Sequence, residues 1–212
     1  MNKQIRQGIR IGLVVSAAFM LAAAPAIGQN EPVEAPIEDV EEFTPQFELG
    51  DQLIATGFGV LAPLFFALGP EGATRTNLTV GGVGTLGWAS YLNNSMSIGA
   101  EISGSFAFTP NSRALYMVPI SARYTYYLRS YPFEFPLHIG VGANISRLQD
   151  ATKVDPALIG GAEALWNYDS EWAFGLRSQY WFIPQIYLSD GLEDETRLGN
   201  FLYLTLIARY NN

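Results

Sequence analysis

The chain has 212 residues, 49% of them hydrophobic and 15% charged, with 21 glycines, no cysteine and a formal net charge of -8. Without cysteine there is neither a disulfide-stapled module nor a metal or haem site built on thiolates, and twelve basic residues against twenty acidic ones exclude nucleic acid as a partner. The apolar content excludes a largely disordered chain. Beyond the N-terminus no apolar run is long enough for a spanning helix, which leaves a soluble or a membrane β-barrel.

Residues 1–10 carry Lys3, Arg6 and Arg10 and no acid, and residues 11–24 form an apolar run. Ala26-Ile27-Gly28 then follows the small-x-small cleavage pattern, so residues 1–28 read as a bacterial secretory signal peptide cut after Gly28. A retained anchor is the alternative, and the run falls short of the ~20 residues that a spanning helix needs. Removal leaves nine basic and twenty acidic residues, a net charge of -11. Residues 29–48 hold Glu31, Glu34, Glu38, Asp39, Glu41 and Glu42 together with Pro32, Pro36 and Pro45. Such a stretch cannot bury enough surface to order itself and reads as an acidic periplasmic linker before a barrel at 49–212.

From about residue 50 to Tyr210 the chain alternates apolar and polar residues over roughly ten positions at a time, the period-2 signature of strands with two unlike faces. The first strand lies near 52–61, with 60–68 apolar enough to extend it, and the next is at 78–88. In 97–108, Ile98, Ala100, Ile102, Gly104, Phe106 and Phe108 share one face, and Ser97, Gly99, Glu101, Ser103, Ser105 and Ala107 the other. The pattern recurs at 114–126, 137–145, 158–168, 172–182 and 198–210, giving eight strands. Connectors at 92–95, 129–135 and 168–172 are short. Those at 63–77, 147–156 and 184–196 are longer, and only 109–113 breaks the alternation. Short turns on one rim and long loops on the other describe an all-β, eight-stranded, up-and-down antiparallel transmembrane β-barrel with both termini on the periplasmic side.

A soluble lipocalin-like barrel would bury the apolar face and put the polar face in water. The polar faces here are poor in charge and rich in Gly, Ser and Ala, which suits a narrow lumen better than a solvated surface. Aromatics also gather at strand ends: Trp88, Tyr124, Tyr126, Trp166, Tyr168, Trp172, Phe174 and Tyr210 beside the short turns, and Phe106, Phe108, Tyr116, Tyr180 and Phe182 beside the long loops. The ten residues between the two belts, at ~3.3 Å each and ~40–45° tilt, span roughly 23–25 Å, the apolar band of an outer membrane.

Pairing Phe108 with Tyr116 sets Glu101 opposite Arg123, and pairing Tyr168 with Trp172 sets Glu163 opposite Arg177. All four point inward, where charges must be paired, so they are the candidate site: lumen ion pairs that satisfy one another or form a gate. Gln179, Arg197 and Arg209 also project inward, with Phe201 and Tyr203 filling space. The single histidine, His138, reads as a satisfied lumen residue. No nucleophile, metal-ligand spacing or phosphate loop accompanies it, so the sequence implies neither an enzyme nor a cofactor.

The closing segment Gly199-Asn-Phe-Leu-Tyr-Leu-Thr-Leu-Ile-Ala-Arg-Tyr210, with the eight strands and interior Glu/Arg pairs, resembles the small outer-membrane barrels of the OmpA/OmpX/OmpW type. In that group an alternating last strand ending in an aromatic is read by the barrel-assembly machinery. Leu202, Leu204, Leu206, Ala208 and Tyr210 match, while Asn211 and Asn212 follow the aromatic where the family usually stops. Outer-membrane deacylase barrels place a Ser two residues after a His, and the residue there is Gly140. The resemblance implies insertion among outer-membrane lipids. It also implies a non-enzymatic barrel with a plugged polar lumen that serves envelope integrity or surface contact. The alternative is a channel for small hydrophobic solutes, with Leu61 to Leu68 lining an entry vestibule.

Overall fold

The computed structural model describes residues 46–67, 74–111, 113–149, 151–185 and 197–212. The leader at 1–28, the linker through residue 45 and the loop stretches 68–73 and 186–196 lie outside the described residues. Eight long antiparallel strands follow one another: β1 (Gln52–Ala67), β2 (Gly81–Asn93), β3 (Met96–Phe108), β4 (Ala114–Ser130), β5 (Phe133–Leu148), β6 (Ala151–Asn167), β7 (Trp172–Gln185) and β8 (Arg197–Asn211). Each pairs with its sequence neighbours, and β1 also pairs with β8, so the sheet closes. A two-residue strand, Thr74–Arg75, pairs with Phe65 and Phe66 at the end of β1.

The stagger of the barrel can be followed residue by residue. The cross-strand partners run from Tyr91 through Ser97, Thr125, His138, Gly161, Gln179, Tyr203 and Leu61 to Gly81. The path leaves β2 at Tyr91 and returns to it at Gly81, ten residues away. A stagger of ten over eight strands, at ~3.3 Å per residue and ~4.8 Å between strands, sets a tilt of roughly 41° and a backbone cylinder of roughly 8 Å radius. That interior is just wide enough for side chains to fill.

Alternation then sorts the side chains. Glu101, Ser103 and Ser105 of β3 point inward and are buried, while Ile98, Ile102, Phe106 and Phe108 are exposed on the outside. The exposed set continues round the wall with Ile120, Ile139, Val141, Leu158, Leu176 and Leu206. A continuous outward apolar face on a closed sheet suits lipid, because closure removes the open strand edges that hydrocarbon cannot hydrogen-bond. At the short-turn rim Trp172 stacks on Phe174 at 6.0 Å and approaches Tyr210 at 5.0 Å, and Trp166 meets Tyr168 edge to face at 5.7 Å. At the opposite rim Phe106 meets Phe108 at 5.8 Å.

Several boundaries differ from the sequence reading, among them the connector expected at 129–135, where β4 continues to Ser130 and β5 starts at Phe133. β1 runs through Ala67, so Leu61 and the apolar residues after it belong to the wall rather than to a loop, with a bulge between Pro63 and Phe65. β2 starts at Gly81 instead of residue 78. The long loop expected at 147–156 is absent: Leu148 pairs with Ala151 across a tight turn, with Gln149 at φ 56°. Arg147, Lys153, Asp155 and Pro156 resembled loop chemistry, yet they sit in the ladder, Pro156 opposite Ala143. A strand that continues past the lipid meets no rule against charge. The acidic segment also ends in contact with the barrel, since Phe47 stacks on Tyr91 at 4.3 Å and its N–H donates to Asn94 Oδ1 at 3.1 Å.

Candidate functional site

The lumen is filled in three layers, and two carry the charges. In the middle, Glu101 is the hub. Its Oε2 accepts from Arg123 and from Arg177 Nη1 at 2.6 Å, and its Oε1 accepts from Tyr203 at 3.2 Å, Gln179 Nε2 at 3.3 Å and Ser103 at 3.4 Å. Glu163 Oε1 accepts from Arg177 Nε at 2.8 Å and Arg123 Nη2 at 3.1 Å. Two carboxylates and two guanidiniums thus form one neutral four-membered network instead of two separate pairs. Each member is largely withdrawn from water, Glu101 2% and Arg177 2% exposed. Inside a narrow barrel that arrangement removes the several kcal/mol that each unpaired ion would cost.

The register places these residues with one correction. Glu163 faces Arg177 directly, but Phe108 pairs with Ala114 and not with Tyr116, so Glu101 faces Ser121 and Arg123 faces Gly99. A two-residue slip keeps every side chain on its own face, and the long Arg123 side chain reaches Glu101 along the diagonal. His138 lies beside this network with Nε2 2.8 Å from Gln179 Oε1 and Nδ1 3.6 Å from Glu163 Oε1. It fits because Gly161 stands opposite: a Cβ there would come within 2.6 Å of the ring Nε2. Gln179, Arg209, Phe201 and Tyr203 are buried in the interior, whereas the side chain of Arg197 lies outside the described residues.

A second charged layer lies at the short-turn rim, and of its members the sequence reading places only Arg209 inside. Glu134 Oε1 accepts from Arg129 Nε at 2.9 Å and its Oε2 from Arg209 Nη2 at 2.5 Å. Arg129 Nη1 donates to Asn94 Oδ1 at 2.8 Å, and its guanidinium lies over the rings of Phe47 and Tyr127, each at 4.8 Å. Tyr127 shares a 2.9 Å hydrogen bond with Ser97, and the Tyr91 hydroxyl donates to Asn211 Oδ1 at 3.3 Å. Glu134 and Arg129 fell in what read as a turn. The signal was parity, since Glu134 is four residues before His138 and so shares its face.

The third layer, toward the long-loop rim, is apolar: Leu61, Met117, Ile159, Trp181, Phe201 and Tyr203 pack together, Trp181 and Tyr203 edge to face at 4.7 Å. Leu61, Trp181 and Tyr203 are 0% exposed. Above it Asn144 faces Asp155 across β5 and β6, and the amide of Asn144 makes no hydrogen bond.

A protein-family model matches residues 29–210. A Borreliella burgdorferi protein described as uncharacterized is 25% identical over 133 residues, 52% of this chain, and the match spans 63% of that protein's length. Among solved structures, Neisserial surface protein A superposes with a TM-score of 0.58 at 11% identity, covering 76% of this chain and 96% of its own. OprG from Pseudomonas aeruginosa is similar at a TM-score of 0.48 and 12% identity, covering 78% of this chain and 97% of its own. The chain belongs to the family matched over residues 29–210, and its fold is that of the small eight-stranded outer-membrane β-barrels.

Proposed function

We propose that the protein is a non-enzymatic resident of the bacterial outer membrane whose lumen is a plug, and that it serves envelope integrity or surface contact through its wall and loops. The observation that carries this reading is the filled interior. Among the described residues, two ion-pair layers and a layer of Leu61, Met117, Trp181, Phe201 and Tyr203 occupy the interior with buried side chains. Ion pairs bonded this densely act as structure, because a gate needs partners that can be exchanged at little cost.

The same reading has residues 1–28 as an export signal, both termini in the periplasm, lipids as the main neighbours and the barrel-assembly machinery as the partner during insertion. The family match beginning at residue 29 accords with a mature chain starting there. Passage of small hydrophobic solutes has less support: Leu61 to Ala67 lies in the wall, where β1 pairs with β8 from Leu53 to Ala67 with one bulge between Pro63 and Phe65. Planar-bilayer recording on the refolded full-length barrel is the test. A silent membrane is expected, and stepwise conductance would overturn the plug.

A further inference from the structure

Between the two charged layers the packing leaves a cavity of about 30 Å³. Its polar wall is Arg123, Thr125, Tyr127, Glu163, Arg177 and Arg209, and Gly87 and Ala55 stand on the other side. About 10–15 Å³ of such space admits one water-sized body, so the cavity takes a single monatomic ion or a pair of waters.

The charges around it do not balance. Among the described residues of these two layers, Glu101, Glu134 and Glu163 stand against Arg123, Arg129, Arg177 and Arg209, three negative charges against four positive. The donors do not balance either. Nε of Arg123 and both Nε and Nη1 of Arg209 are buried with no acceptor, although Arg209 is only 2% exposed. Both residues line the cavity. Glu163 also lines it, and its Oε1 is already shared by Arg177 and Arg123. Water in the cavity would give these donors an acceptor but leave the extra positive charge in place. A small anion does both.

We infer that this cavity is an internal site for a monovalent inorganic anion of halide size, chloride being the common one, held by the free guanidinium donors of Arg123 and Arg209. The anion completes the charge balance of the plug and is independent of what the outside of the barrel contacts.

Crystals of the refolded full-length barrel soaked in sodium bromide give the direct test. An anomalous peak within hydrogen-bond distance of Arg209 and Arg123 is expected, and density in the cavity without anomalous signal would mean water alone and overturn the site. In solution, Gly87→Ala is the matched variant. Its Cβ would make only ordinary contacts, 3.7 Å from Ala100 O and Glu101 Oε2 and 3.9 Å from Ala55 O, so the barrel should fold while the cavity shrinks. With chloride exchanged for gluconate at fixed ionic strength, the wild-type urea midpoint should fall, as linkage requires of a ligand bound only to the folded state. In Gly87→Ala that shift should drop to less than half. An equal shift in both proteins would overturn the inference.

Discussion

The middle layer and the short-turn layer are both built from Glu and Arg, but they handle charge in different ways. In the middle, two carboxylates meet two guanidiniums. At the rim one carboxylate serves two arginines, whose guanidiniums also lie over the rings of Phe47, Tyr91 and Tyr127. The difference is not one of exposure, since the side chains of Arg123 and Arg129 are 10% and 11% exposed and those of Glu101 and Glu134 both 1%. It lies in the ratio of carboxylates to guanidiniums, with ring faces set against Arg129 and Arg209 where carboxylates are fewer.

The comparison is broken most severely at its hub. Glu101→Ala should cost about 3–5 kcal/mol, because it leaves Arg123 and Arg177 in the interior with Glu163 as their one shared carboxylate. Removing Arg123 as well should restore part of the loss by leaving Glu163 and Arg177 as a one-to-one pair. Urea unfolding from lipid, read as a double-mutant cycle, checks this, and purely additive effects would mean that the network does not act as a unit.

Next in size, Ile120→Arg should cost about 2–4 kcal/mol, since it puts a cation on the lipid side near mid-membrane. Ser121→Arg, one residue on but inside, should cost less. Reversal of that order in the same assay would invert the assignment of faces on which both layers depend.

Glu134→Ala should then cost less than Glu101→Ala, about 1–3 kcal/mol, the penalty for groups left without their partner. Ring faces remain for both arginines, and the mouth for Arg129. Equal losses at Glu101 and Glu134 in parallel unfolding curves would erase the distinction between the layers. The smallest effect belongs to Phe47→Ala, about 0.5–1 kcal/mol for one ring under a partly exposed guanidinium. A quench of tyrosine solvent accessibility at Tyr91 should increase in that variant, and no change would place Phe47 outside the plug.

Inside and outside were readable in the sequence because a barrel strand shows both faces in consecutive residues, as Glu101 and Ile102 do. Register was not, because a slip of two residues preserves faces, and aromatic belts such as Phe108 and Tyr116 fix height only loosely. The candidate residues could be assigned to the interior, yet their joining into one network depends on four strands meeting across the lumen, which no pairwise register contains. The hairpin between β5 and β6 was hidden for another reason: Lys153, Asp155 and Pro156 carry loop chemistry in a region where strands have left the lipid. Glu134 was lost to its neighbours in a turn.

The seam between β1 and β8 has a consequence for how the molecule is made. Leu53 pairs with Asn211, 158 residues further along, and the N–H of Gln52 donates to the carbonyl of Asn212 at 3.1 Å. Every other strand pair is a local hairpin, so this one contact order is far larger than the rest and its loop-closure entropy must be met at the end. Until it forms, two unpaired edges face an environment with no water to hydrogen-bond them. Assembly in the membrane is therefore close to all-or-none: a chain lacking β8 should accumulate no stable seven-stranded intermediate, and the finished barrel should unzip slowly because its first opening breaks the seam.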